Sequence, residues 1–398
     1  MSRRPPLVFI FTVTLTGILS NTLVTPAIPN ILAEFDLPAN RAGLLVATGS
    51  LAGIVIAPVA GFLADRFGRR IVLTVCLGIF GVFGGLAAIA PSFEILLLSR
   101  FLQGVGSAAL VNLAVVLIGD GWTGPDRTRL IGRNSAVLTI GLAAMPVVSG
   151  VVTQAASWRV TFGIYTVALG TAAAAWVVLD GRRPERSPQV REQFAEAMVV
   201  LKRPVLRASI LSGFLVFMAI FGLFLTVLPL HLADVFGMEA GARGILISLP
   251  AISATLAAFN LGRMRSLTSA RTVVIFSASA LVVSYVMLGI TTTLIVAVTA
   301  TLIYGASEGF FIPMLQDVTM EDAPDEHRAV VLAVWVGFAR LGQTIGPLLA
   351  GVAVGVIGTG PTFVAGSGIA VLILLVGWFG PFPSDPAKRG VAPPAIDS

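Results

Sequence analysis

Twelve long apolar runs alternate along this 398-residue chain with short stretches of charged and turn-forming residues. The runs fall at about 7–33, 43–64, 71–90, 95–118, 134–156, 160–179, 208–231, 244–262, 272–290, 294–316, 329–357 and 361–380, and each is long enough to cross a hydrocarbon layer as a helix. Hydrocarbon offers no water to unpaired backbone amides, so charge-free runs of this length predict helices that satisfy their own hydrogen bonds. The predicted fold is all-α and integral to the membrane, and an even number of crossings puts both termini on one face.

Composition agrees with this pattern: 56% of residues are apolar, 12% are charged and 42 are glycine, as expected of a chain whose solvent is lipid. The net charge of +6 and the pI near 10.4 do not indicate a nucleic-acid partner, because the basic residues are spread through short loops rather than gathered on a soluble face. Only Arg41, Arg159 and Arg243 lie in the loops opposite the termini, and only Arg100 and Arg340 lie within spans; every other Lys or Arg is on the terminal face. That basic face is therefore expected to be cytoplasmic, in a multi-pass plasma-membrane protein, the inner membrane if the source is bacterial. Arg3 and Arg4 precede a run too long for a signal-peptide core. The single cysteine, Cys76, lies in an apolar run and implies no disulfide.

An internal repeat divides the chain. A constant offset of 201 residues pairs Gly43 with Gly244, Gly61 with Gly262, Arg70 with Arg271, Gly104 with Gly305 and Arg127 with Arg328. It also pairs Gly141 with Gly342, Pro146 with Pro347, Gly150 with Gly351 and Phe162 with Phe363. The simplest account is two six-helix halves in the same orientation, residues 1–179 and 208–380, around a central cavity with the substrate site between them. The join, 180–207, is basic; Val190, Phe194, Met198 and Leu201 recur there at helical spacing, which fits either an interfacial amphipathic helix or a flexible linker. The proline-rich tail, 381–398, is expected to be disordered.

Between the second and third spans lies Gly61-Phe-Leu-Ala-Asp65-Arg66-Phe-Gly68-Arg69-Arg70. This segment resembles the signature loop of the major facilitator superfamily. The fourth span carries Arg100, Gln103, Gly104 and Gly106, similar to that family's second motif. The fifth carries Gly141, Pro146 and Gly150, similar to its antiporter motif except that Met145 stands where a glycine precedes the proline. In the eleventh span Gly346-Pro347 keeps the pair. The resemblance covers nearly the whole chain and implies a secondary transporter working by alternating access, closest to the proton-coupled multidrug efflux branch. It implies that Asp65 packs against the start of helix 11, with Gly61 permitting close approach, and that Arg69 reaches Asp120. Gly61, Asp65, Arg66, Gly68, Arg69, Arg70 and Asp120 would then form a conformational latch.

Three charges lie deep within spans: Arg100, Glu308 and Arg340. An intramembrane arginine needs internal partners, and Asn21 and Gln103 are candidates for Arg100, the alternative being that it snorkels to the far interface. Glu308 and Arg340 lie at comparable depth and are able to pair. If a proton and a cationic substrate both need Glu308, each displaces the other, which is the core of antiport; a static salt bridge is the other reading. The phenylalanines 214, 217, 221 and 224, with Phe310, Phe311, Trp335 and Phe338, read as lipid-facing or helix-packing surface in preference to a binding wall.

The expected partners are a small-molecule substrate and the bilayer, the expected functional unit is a monomer, and the proton gradient is the expected energy source with no cofactor. No phosphate loop marks a nucleotide-driven pump. His231 and His327 lie toward opposite faces and share no metal site, and nothing in the sequence marks an enzyme. Two other readings stand beside efflux: a symporter importing a small organic anion, motivated by two intramembrane arginines against one glutamate, and a lipid flippase or non-transporting sensor.

Overall fold

The computed structural model describes residues 4–181, 201–324 and 327–385, and the proposed linker helix, apart from Leu201, lies outside them. Among the described residues twelve helices are long and apolar enough to cross a membrane. We number them α1 (Leu7–Glu34), α2 (Ala42–Phe67), α3 (Arg69–Ala88), α4 (Phe93–Gly121), α5 (Gly124–Ala155), α6 (Trp158–Val178), α7 (Pro204–Phe236), α8 (Ala240–Leu267), α9 (Ala270–Ile290), α10 (Leu294–Asp322), α11 (Arg328–Ile357) and α12 (Thr359–Phe379).

Several helices outrun the apolar pattern. α5 starts at Gly124 instead of near 134, because Pro125 in its first turn presets the helical φ and Asp126 favours the positive end of the dipole. Its first two turns are polar and stand beyond the apolar run. The α2–α3 turn is tight because Gly68 adopts φ +94°, a conformation open to glycine alone at little cost. α7 contains a π-helical stretch, Ile220–Val227, where the Thr226 hydroxyl donates to Phe221 O at 2.7 Å. Some buried threonines donate to carbonyls one turn back, as Thr16 does to Thr12 O and Thr319 to Leu315 O, so their polarity is met within the helix.

The 201-residue repeat has a direct physical meaning. Gly43 on α2 lies against the Pro347 carbonyl of α11, and its repeat mate Gly244 on α8 lies against the Pro146 carbonyl of α5. A methyl group on Gly351 would stand 2.7 Å from Asn40 O and 3.2 Å from Gly43 N; one on Gly150 would stand 3.1 Å from Gly244 Cα. The same residues thus make the same backbone-to-backbone crossing twice, α2 on α11 and α5 on α8. Glycine is needed at each because a side chain would enter the facing helix. Within each half, Gly104 of α4 packs on Gly49 of α2, and Gly305 of α10 packs on Pro250 of α8, again mates at offset 201.

These crossings all lie toward the face opposite the termini, which we call the far face. Polar contacts between the halves lie there too: Gln154 bonds Glu239 and accepts from Gly241 N at 3.0 Å, and Arg243 donates to Pro26 O at 3.1 Å and to Asn30 Oδ1. On the basic face, no hydrogen bond or ion pair between described residues joins the halves. Gly61 and Gly262, near the basic ends of α2 and α8, have no atom within 4 Å of where a side chain would project. The two halves meet on the far face and part on the basic face.

Candidate functional site

The three intramembrane charges occupy separate environments. Arg100 is fully buried on α4; its guanidinium donates to Gln103 Oε1 at 2.5 Å and to Asn21 Oδ1 at 3.4 Å. Tyr165 stands beside it and donates to Ser20 O at 3.2 Å. The predicted trio of Arg100, Gln103 and Asn21 is therefore one cluster, and the guanidinium stays within the helix bundle. Gly49 on α2 leaves the room, since a methyl group there would stand 2.6 Å from the arginine Nη2.

Arg340 and Glu308, which comparable depth leaves able to pair, form no ion pair among the described residues. Arg340 leaves α11 toward the other half, fits against Gly53 of α2, and donates from Nη2 to Ala108 O at 2.8 Å. That carbonyl is free because α4 breaks at Ala108 and Ala109: Leu113 N–H reaches Ala109 O, and no amide reaches Ala108 O. A charged donor thus satisfies a backbone acceptor released in mid-membrane. Gly49 and Gly53, one turn apart, admit one arginine from each half.

Glu308 on α10 is half-buried and in no ion pair among the described residues. Its neighbours are the phenols of Tyr304, one turn back, and Tyr285 on α9. Neither hydroxyl has a hydrogen-bond partner of ordinary geometry. Tyr304 stacks on Phe224 of α7 with centroids 4.1 Å apart and planes at 4°, which fixes the ring. Phe217 sits edge-on to Trp335, whose indole donates to Ser209 O at 3.2 Å, and Phe310 sits edge-on to Phe276. These phenylalanines are helix-packing surface.

At the basic ends, Arg69 bonds Asp65 and donates from Nε to Asp120 Oδ2 at 3.2 Å. Arg70 lies over the Trp176 ring at 4.1 Å and Arg66 over Phe67 at 5.6 Å. Asp65, Arg69 and Asp120 form one cluster within the first half; among the described residues no hydrogen bond or ion pair joins Asp65 to α11, and Gly61 has open space where a side chain would project. In α5 and α11, Gly141 packs on Leu15 and Ile18 of α1, and Gly346 on the Met218 backbone of α7. Pro146 and Pro347 lie in the far-face crossings. Among the described residues no group of three His, Cys, Asp or Glu side chains is placed to hold a metal.

Sequence reasoning missed Arg243. It is 4% exposed and spends three donors on Pro26 O, Met238 O and Asn30 Oδ1, so it clasps the far face instead of marking a loop. Its place between Gly241 and Gly244, at the edge of an apolar run, was the available signal.

A profile of the Major Facilitator Superfamily matches residues 10–335 and 244–397. The chain belongs to the Major Facilitator Superfamily. This facilitator is 29% identical over 250 residues to Multidrug resistance protein 1 of Bacillus subtilis (strain 168), an alignment covering 60% of this chain and 64% of that protein, thus less than two thirds of the relative. It is 23% identical over 390 residues to the Multidrug transporter protein MdtP of the same organism, covering 84% of this chain and 72% of that one. The crystal structure of a bacterial homologue of the human lysosomal transporter Spinster, inward-facing and occupied, superposes with a TM-score of 0.76 at 17% identity over 94% of this chain and 95% of that one. The superfamily membership and the twelve helices long and apolar enough to cross a membrane mark a multi-pass membrane protein.

Proposed function

We propose that this facilitator is a proton-coupled exporter of small organic molecules, with the basic face and both termini in the cytoplasm of a bacterial cell. The observation that carries the reading is Glu308: a half-buried mid-membrane carboxylate with no ion-pair partner among the described residues, beside the phenols of Tyr304 and Tyr285. Such a group is able to hold either a proton or a substrate cation, and mutual displacement couples the two flows. Names of the relatives, multidrug resistance and multidrug transport, support the export direction. The Lys and Arg asymmetry supports the orientation.

In that orientation the far-face crossings close the outside and the parted basic face opens inward. The Asp65, Arg69 and Asp120 cluster is then the released half of the latch, which re-forms against α11 when the cytoplasmic side closes. Rocking of the halves about the α2–α11 and α5–α8 crossings moves the site between the two sides, driven by the proton gradient with no cofactor.

The test is accumulation of lipophilic cationic dyes in an efflux-deficient bacterium expressing wild type or Glu308→Gln, with and without an uncoupler. Lower accumulation that needs both the gradient and Glu308 supports the reading. Accumulation equal to that of vector cells across the dyes refutes it. Import of an organic anion is a second reading, motivated by Arg340, which has no carboxylate partner among the described residues; loss of anion uptake in Arg340→Ala, with folding retained, would favour it.

A further inference from the structure

A carboxylate deep in the second half needs protons from outside, and the far-face crossings close the space between the halves. Glu308 lies fourteen residues inside the far end of α10 at Leu294, roughly 21 Å at about 1.5 Å per residue. His231 lies five residues inside the far end of α7 at Phe236 and is 1% exposed. Its Nδ1 stands 3.0 Å from the hydroxyl of Thr359, the first residue of α12, and that hydroxyl donates to Asp234 Oδ2 at 3.4 Å. Asp234 is exposed at the far face. A buried imidazole is thus joined to outside water through one hydroxyl and one carboxylate.

The other charges packed around this stretch of α7 have partners of their own. α8 begins there with Glu239 and Arg243, and the far end of α1 brings Asn30 and Glu34. Arg243 is held by Pro26 O, Met238 O and Asn30, Glu239 by Gln154, and Glu34 by Trp158 and Arg159. α12 has no charged side chain, α9 has only Arg271 at its opposite end, and what α9 presents to His231 is the Leu288 carbonyl. Asp234 is therefore the carboxylate that serves His231. Inward from the imidazole the rings follow closely: Phe363 of α12 sits edge-on to it at 5.5 Å, Tyr285 of α9 is 6.2 Å from Phe363, and Tyr304 of α10 is 6.1 Å from Tyr285. Glu308 is one turn further along α10. Phe363 is the one link in this row that carries no exchangeable proton.

We infer that His231, with Thr359 and Asp234, is the outer station of a proton path through the second half to Glu308, and that the Phe363 ring is the gate in that path. This rests on Glu308 being the proton site proposed above. Outside water protonates Asp234, which passes its proton to the Thr359 oxygen as that hydroxyl gives its own to His231 Nδ1; the imidazolium then releases its Nε2 proton inward. Each phenol takes up one proton as it passes one on, and the last rests on the Glu308 carboxylate, with Asp234 ionised again and His231 neutral. The path must be broken while the basic face is parted, because protons would otherwise run from outside to cytoplasm without moving any solute. Phe363, between His231 and Tyr285 and with neither donor nor acceptor, makes that break. The π-helical stretch Ile220–Val227 separates His231 from Phe224, which is stacked on Tyr304. Such stretches recur at functional sites, and this one lets the segment bearing His231 turn past Phe363 while Tyr304 stays in place.

Proton entry into liposomes holding the full chain, read by enclosed pyranine after an acid step with no solute present, tests the gate. Phe363→Ala should leak protons where wild type is tight, and the leak should be lost when His231→Gln or Glu308→Gln is added. A leak that survives His231→Gln is a crack open to water and overturns the inference, as does a folded Phe363→Ala protein as tight as wild type. A leak that needs His231 and not Glu308 supports the outer station and gate and sinks Glu308 as the proton site, so the two proposals fail separately. Thr359→Val decides if Phe363→Ala does not fold. In that variant, accumulation of rhodamine 123 driven by an acid interior should fall about tenfold or more, the worth of one positioned proton donor. Dye-for-dye exchange without a gradient carries no net proton and should persist, and Thr359→Ser should restore accumulation. Parallel loss of accumulation and exchange, or loss of neither, overturns the inference.

Discussion

Removing the Arg243 guanidinium should open the far face. In Arg243→Ala two contacts across the halves vanish, to Pro26 O at 3.1 Å and to Asn30 Oδ1, together with one within its own half, to Met238 O at 2.8 Å. A hydrogen bond from a charged donor nets about 1.5–3 kcal/mol. When the far face opens, the arginine regains water, so only part of that separates the closed from the open arrangement. Taking about 1 kcal/mol for each of the two crossing bonds gives about 2 kcal/mol, a roughly 30-fold shift of the conformational ratio. Spin labels at Ala156, at the far end of α5, and at Val235, at the far end of α7, would report it by electron-electron distance measurement, with the lone Cys76 replaced by Ala. The expected result is a longer-distance population that grows by that factor, with Arg243→Lys intermediate because lysine keeps the charge and loses the fork. A distribution identical to wild type would mean that the glycine crossings alone hold the face shut, and the clasp would be structural ornament.

Other outcomes follow from the same geometry. Gly150→Leu and Gly351→Leu occupy symmetric positions against Gly244 and Gly43, so both should favour the far-open arrangement to a similar degree in the same distance measurement. Gly53→Val should drive Arg340 off α2, break its bond to Ala108 O, and reduce dye export at least tenfold with the melting temperature nearly unchanged, because the displaced side chain is half-buried. Arg69→Ala removes ion pairs whose carboxylates are 32% and 54% exposed, so the stability loss should stay below about 1 kcal/mol by thermal melting, while transport by a latch-dependent mechanism should be largely lost. Arg100→Ala should instead cost about 2–4 kcal/mol, because it leaves Gln103 and Asn21 unsatisfied in a dry cluster, visible as lowered melting temperature before any transport assay.

The sequence carries the fold in its apolar runs because every span must satisfy its own backbone. It carries the symmetric crossings because a backbone-to-backbone contact admits little but glycine, so Gly43, Gly150, Gly244 and Gly351 appear at one offset. Helix ends were less legible: apolarity stops at the water boundary, whereas α5 continues ten residues beyond it, from 134 back to Gly124. Depth along a helix was legible and azimuth was not. That is why the sequence leaves open whether Glu308 and Arg340, at comparable depth, pair with each other; the small-residue spacing Gly49-x-x-x-Gly53 on α2 was the clue to where Arg340 turns. Arg243 escaped because its partners are a carbonyl and an asparagine, which leave no motif.

One helix deserves a mechanical reading. α2 carries Gly43 at the far-face crossing, Gly49 and Gly53 beneath the two arginines, and Asp65 bound to Arg69 at its basic end, all on one 26-residue helix. Displacement at one of these stations is passed along the helix to the others. Tuning this transporter's appetite for a new solute by altering the middle of α2 will therefore retune how fast it turns over, and selectivity and speed will be adjusted together or not at all.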